Sequence, residues 1–163
     1  MLKKLSEVTQ FDHQLTKWMA AHGILILRVS IGIIYFWFGV LKFFPGLSSA
    51  ADLATDTISI ISFGLIGSEM AMLILAVWET LIGIGLIFRL FLRETLLLLF
   101  LQMIGTILPL FFFPVETFSI IPFVPTLEGQ YIIKNIVIIS AGIVIGATVR
   151  GGKLVAEPKK IKP

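Results

Sequence analysis

An all-α membrane protein, four membrane-spanning helices bundled together with a short surface or re-entrant helix in the first outer loop, is the fold this sequence predicts. Three observations carry it. The chain is 57% apolar with mean hydropathy +1.01, well above the roughly 45–50% apolar content of soluble domains. Its apolar residues gather into four blocks, each long enough for a helix rising about 1.5 Å per residue to cross a hydrocarbon core of about 30 Å. Between the blocks lie Pro, Gly and charged residues, the composition of turns and loops. At 163 residues the chain suits a single integral membrane domain, 1–163, with a polar N-terminal segment 1–22 and a basic tail 150–163.

The first block, 24–44, reads ILILRVSIGIIYFWFGVLKFF and carries two charges, Arg28 and Lys42, near opposite ends. Arg28, Gly32, Tyr35, Gly39 and Lys42 recur at steps of four, three, four and three, which puts them on one stripe of an α-helix. Ile24, Ile26, Ile33, Ile34 and Phe38 fall mostly elsewhere. One face is therefore expected to look into protein, and the others at lipid. The preceding segment contains Lys3, Lys4, Lys17 and Trp18. It reads as a short amphipathic helix lying on the membrane surface, with Trp18 as an interface anchor. The first block starts too late and runs too long for a cleaved signal peptide.

Pro45-Gly46 stops the first helix, and residues 47–68 are too short and too polar to span. The second span, 70–88, has Glu79 at its centre. The third, 95–113, has Gln102 near mid-depth and Pro109 as a bend. Residues 114–130, with Pro114, Pro122, Pro125 and Gly129, read as an outer loop. The fourth span, 131–149, carries Gly142 and Gly146, a GxxxG pair that admits a close neighbour within the bundle or between copies of a homo-oligomer. The tail from Arg150 reads as disordered.

The positive charges set the expected orientation. Lys3, Lys4, Lys17, Arg89, Arg93, Arg150, Lys153, Lys159, Lys160 and Lys162 fall on one side of a four-span chain. The positive-inside rule places both termini in the cytoplasm.

Composition removes much chemistry. With no cysteine the chain has no disulfide, thiol nucleophile or iron–sulfur ligand. Its two histidines, His13 and His22, precede the first span, so a haem or an ordinary His/Cys metal site among the spans has no ligand set. No phosphate loop, Ser-His-Asp arrangement or zinc motif is present, and no basic, aromatic-interleaved run marks a nucleic-acid partner. Neither a catalytic nor a metal-binding residue is assigned.

What remains is polar groups inside the bilayer, each costing about 2.5–3.5 kcal/mol on insertion scales and therefore expected to face a partner. An Arg28–Glu79 pair with Gln102 nearby is within reach, because the depths differ by roughly 9 Å at 1.5 Å per residue. It is either a buried ion pair that fixes helix register or part of a ligand site. Lys42, Glu69, Lys134 and Asn135 gather at the outer ends, with Trp37 and Tyr131 at similar depth. The lysines there either snorkel to the interface, pair with Glu69, or meet an anionic or carbonyl-bearing ligand. The candidate ligand-binding set is Arg28, Tyr35, Trp37, Lys42, Glu79, Gln102 and Lys134.

Three motifs in order carry a family resemblance: R-x6-[YF]-x-W-x-G-x-x-K-F at Arg28 to Phe43, E-x-x-I-G at Glu79 to Gly83, and G-x-Y-x-x-K-[ND] at Gly129 to Asn135. Together they resemble the DoxX-like superfamily and, within it, the RclC-type branch associated with reactive chlorine resistance. The resemblance implies a multi-pass protein of a bacterial-type inner membrane in a redox or oxidative-stress setting. Relatives include a subunit of a thiosulfate:quinone oxidoreductase and a membrane partner of a superoxide dismutase and a sulfurtransferase.

The leading expectation is a small membrane subunit of a redox or stress-defence system that binds a quinone-like or small anionic molecule between its helices. Its partners would be lipid and redox subunits, with a quinone as candidate cofactor and none bound covalently. The alternative is a non-catalytic assembly subunit of a larger complex. A small-solute transporter ranks last, because no inverted repeat relates the halves.

Overall fold

A computed structural model describes residues 2–48 and 51–155, with side chains from residue 10 onward. The chain order is α1 (Leu2–Leu41), α2 (Ala51–Ile61), α3 (Ser68–Phe88), α4 (Leu92–Ile107), α5 (Pro109–Phe112), α6 (Pro114–Thr117), β1 (Phe118–Ile120), β2 (Val124–Pro125) and α7 (Leu127–Ala147). Four stretches are long and apolar enough to cross a membrane: Gln10–Leu41, Ser68–Phe88, Leu92–Phe112 and Leu127–Ala147. The four long helices close a ring, with α1 on α3, α3 on α4, α4 on α7 and α7 back on α1.

Polarity is inverted relative to a water-soluble domain. Ile33, Ile34, Phe38, Leu101 and Val137 are exposed, whereas Arg28, Glu79, Thr95 and Gln102 are buried. Polar groups that cannot be hydrated in hydrocarbon turn inward, and the apolar exterior contacts lipid. The predicted stripe on α1 is the inward one: Arg28, Gly32, Tyr35 and Gly39 are all buried. Beside them the apolar centre is built from Ile31, Ile82, Leu86, Leu99, Met103 and Ile145.

Two expectations change. The N-terminal segment is no separate surface helix: α1 is one helix of 40 residues, about 60 Å at 1.5 Å per residue, or twice a hydrocarbon core. Residues 2–22 contain no Pro, and the sequence offers no stop signal between Lys17 and the first span. The loop 114–130 is ordered rather than irregular. In it α6 leads into the antiparallel hairpin β1–β2, with Phe118 opposite Pro125. The hydroxyl of Thr126 accepts from Gly129 N (3.2 Å) and donates to Glu116 O (2.7 Å). This N-cap starts α7 at Leu127, earlier than the apolar block suggests.

Two features follow the sequence reading. The third span breaks at Leu108, ahead of Pro109, where a ring replaces the amide a continuous helix needs. A short helix, α2, stands between the first two spans and packs on α3 and α5. Within the bundle, a methyl at Gly142 would lie 3.1 Å from the Phe100 ring, a tight contact, whereas one at Gly146 would lie 3.6 Å from Leu96 Cδ1, an ordinary van der Waals distance. The disordered tail expected from Arg150 falls, from residue 156 on, outside the described residues.

Candidate functional site

The site grows out of the α1–α3 contact, where glycines let two backbones meet. A Cβ at Gly39 would lie 2.6 Å from Thr80 N, one at Gly32 2.8 Å from Ile87 Cγ1, and one at Gly83 would overlap the backbone of Phe36. Small residues at such crossings are how membrane helices gain dispersion energy without a hydrophobic drive. The antiparallel register this fixes runs Gly32 near Ile87, Phe36 on Gly83 and Gly39 on Thr80. One turn outward from Gly39 stands Lys42, and one turn outward from Gly83 stands Glu79.

Those two side chains form the centre of the site. Lys42 Nζ lies 2.6 Å from Glu79 Oε2, with both side chains largely buried. The ammonium also lies 3.5 Å from Phe38 O. Gln102 of α4 donates Nε2 to the other carboxylate oxygen, Glu79 Oε1, at 2.7 Å. Three helices are thus tied at mid-depth by one carboxylate, and its charge is balanced locally by the lysine. Around this knot three buried polar atoms make no hydrogen bond: Tyr35 Oη, Thr80 Oγ1 and Gln102 Oε1. Tyr35 is 5% exposed and Gln102 is 7% exposed, so neither hydroxyl nor amide oxygen is solvated from outside. Thr80 is the residue the sequence reading passed over. Its signal is its place directly after Glu79, with its hydroxyl 2.8 Å from where a Gly39 Cβ would stand.

Arg28 does not pair with Glu79. Its Nη1 donates to Leu86 O and, at 3.0 Å, to Ile87 O. These are last-turn carbonyls of α3, which have no intrahelical donor, and they carry the negative end of the helix dipole. Arg28 therefore caps α3 from a neighbouring helix. The carbonyls win because they lie at its own depth, whereas Glu79 is two turns further in.

Trp37 and Lys134 stand apart from the knot. Trp37 is 64% exposed on the lipid-facing side. Lys134 is exposed, with Nζ 5.4 Å from the centre of the Tyr131 ring, a cation–π contact. Asn135 reaches Thr106 Oγ1 at 3.5 Å, and Glu69 is exposed at the start of α3. Among the described residues no group of three or more His, Cys, Asp or Glu side chains could hold a metal ion.

Two surface cavities flank the bundle. One, of about 390 Å³, lies between α3 and α4 and is lined wholly by apolar side chains, among them Val77, Trp78, Leu81 and Leu98. Trp78 donates Nε1 to Leu98 O at 3.1 Å, and this bond closes the groove's inner wall next to Glu79 in the chain. The other, of about 720 Å³, lies between α4 and α7 at the opposite end from α2.

A family model described as DoxX matches residues 23–113. The chain belongs to the DoxX family. The match covers the first span of this DoxX protein from residue 23 and the whole of the second and third, and with them Arg28, Tyr35, Lys42, Glu79, Thr80 and Gln102. It ends before α7, so Lys134 and the Gly142/Gly146 pair lie beyond it. Searches of curated proteins and of solved structures returned no match.

Proposed function

We propose that this DoxX protein binds a quinone-like molecule at the Tyr35–Lys42–Glu79–Gln102 knot, as the membrane subunit of a redox or oxidative-stress system. The supporting observation is the set of buried polar atoms left without partners beside a charge-balanced ion pair. A buried unpaired hydroxyl or amide oxygen costs about 1–3 kcal/mol, and a ligand that completes the bonding recovers that cost. Because Lys42 is already neutralised by Glu79, a neutral carbonyl- or hydroxyl-bearing molecule fits better than a free anion. A quinone supplies two-electron, two-proton chemistry when bound. Toward it the Tyr35 hydroxyl and the Lys42 ammonium offer donors to carbonyls. Gln102 Oε1 and the Glu79 carboxylate offer acceptors to the hydroxyls of the reduced form. In this reading both termini face the cytoplasm of an inner membrane, in keeping with the basic residues at one end.

The test is thermal unfolding in detergent with and without decyl-ubiquinone, with decane as an apolar control. Protection of the wild type but not of Y35F supports the site. Y35F should unfold at or slightly above the wild-type temperature without ligand, since the hydroxyl it removes has no partner. Equal protection of both proteins, or protection by decane alone, refutes it.

A second reading, an assembly subunit, is favoured by the extension of α1. There Phe11, Leu15, Trp18 and Met19 are exposed at helical spacings of four, three and one, an apolar stripe in the part of α1 that precedes the DoxX match at residue 23. Mild-detergent extraction tests it: recovery in stoichiometric complex supports assembly, and recovery as a free monomer opposes it.

A further inference from the structure

The cavity between α4 and α7 has a chemistry distinct from the Glu79 knot. Its floor and wall are apolar, from Leu97, Phe100 and Gly146, and its rim carries Arg93, Glu94 and Arg150. Its volume is about 720 Å³. Gly146 adds only backbone to the lining. The rim lies at the first turn of α4, which begins at Leu92 after Phe91, a residue that makes no side-chain cap bond. The opening amides of α4 therefore add their partial positive charge to the two guanidinium groups. Against these Glu94 supplies one negative charge, so the rim is net cationic. Arg89, at the C-cap of α3, and Lys153 belong to the same end of the chain's charge pattern.

An amphiphile is what such a pocket fits: a phosphate at the rim and acyl chain along the wall. Arginine is the side chain suited to phosphate, through its planar fork of donors, and basic pockets between spans are the usual seat of anionic headgroups. We propose that the α4–α7 groove is a binding site for an anionic phospholipid, with the headgroup phosphate between Arg93 and Arg150. A free phosphate meets the charges and leaves the wall of Leu97 and Phe100 uncovered. A zwitterionic lipid covers the wall, and its own cation opposes the rim.

Native mass spectrometry of the full-length protein in detergent tests this, with phosphatidylglycerol, phosphatidylcholine of the same chains, and inorganic phosphate as probes. Phosphatidylglycerol adducts should survive activation that strips phosphatidylcholine, and phosphate should not compete. Each neutralised arginine should weaken binding about fivefold, and R93Q/R150Q about 25-fold, the factor per surface arginine near an anionic lipid. K134Q, remote from the groove and equally exposed, should bind as the wild type does. Equal retention of the two lipids, competition by phosphate, unchanged binding in R93Q/R150Q, or equal loss in K134Q each overturns the site. A mass doubling abolished by R93Q/R150Q without lipid dependence also overturns it and makes the groove a contact between copies.

Discussion

Replacing Lys42 by Met and Glu79 by Gln, singly and together, separates the ion pair from the packing around it. The two singles should not cost the same. K42M keeps most of the apolar stem and deletes the ammonium 2.6 Å from Glu79 Oε2. The carboxylate, fixed at the middle of α3, then keeps Gln102 Nε2 as its one donor. Removing one member of a buried pair costs about 3–5 kcal/mol. At about 2–4 °C per kcal/mol for a chain of this length, the melting midpoint falls by roughly 10 °C. E79Q leaves the charge on Lys42 instead. That lysine follows the last residue of α1, and its stem can swing outward to the interface, so the loss is nearer the about 1.5–3 kcal/mol of one charged hydrogen bond. The double variant has no charge to strand, and Gln at position 79 can still accept from Gln102. It should recover a large part of the K42M loss. Thermal melts of the four proteins in one detergent give the coupling directly. Losses that add to within about 0.5 kcal/mol, or E79Q melting lower than K42M, refute the account of the pair and its asymmetry.

Three further substitutions test the frame. G83A places a methyl against the Phe36 backbone and should cost about 1–3 kcal/mol by overpacking. G105A, whose Cβ would meet nothing within 4 Å, should be neutral or stabilising by about 0.5–1 kcal/mol; equal melting of the two refutes the close α1–α3 crossing. R28M removes the donor to Leu86 O and Ile87 O, so hydrogen exchange should rise in the last turn of α3 and the turn at 89–91 and stay unchanged around Glu79. A change centred on Glu79 instead restores an Arg28–Glu79 interaction.

Span count, faces and the inward stripe were legible because they depend on local periodicity alone. A helix in lipid must bury its polar groups, so the 3.6-residue repeat of Arg28, Gly32, Tyr35 and Gly39 names the inner face without any partner. The outer loop was less legible. Pro114, Pro122 and Pro125 argue against long helix, but a single-turn α6 and a two-strand hairpin depend on Thr126 bonding back to Glu116, a contact across ten residues. The length of α1 is not legible from its charges, because lysines near the start of a helix suit either a surface segment or a continuous helix, and charge alone does not end a helix.

The partner of Glu79 was the consequential error, and its cause is register. Periodicity gives the azimuth of a side chain, and depth counting gives its height to within the reach of a long side chain. Neither says which of two cations on one stripe takes the carboxylate. The glycines do. Gly39 and Gly83 must each lie against the opposite backbone, since no larger residue fits there, and in an antiparallel pair this sends Lys42 and Glu79 outward together. It leaves Arg28 at the other end, beside the bare carbonyls of α3. The functional consequence follows from that sorting. With Arg28 spent on a helix terminus and Lys42 on Glu79, no free cation remains at the core among the described residues, and the unpartnered groups there are the neutral Tyr35 hydroxyl, Thr80 hydroxyl and Gln102 carbonyl. A molecule completing the bonding there would offer hydrogen bonds without charge, and on that ground the proposed quinone-like ligand is preferred to an anionic one.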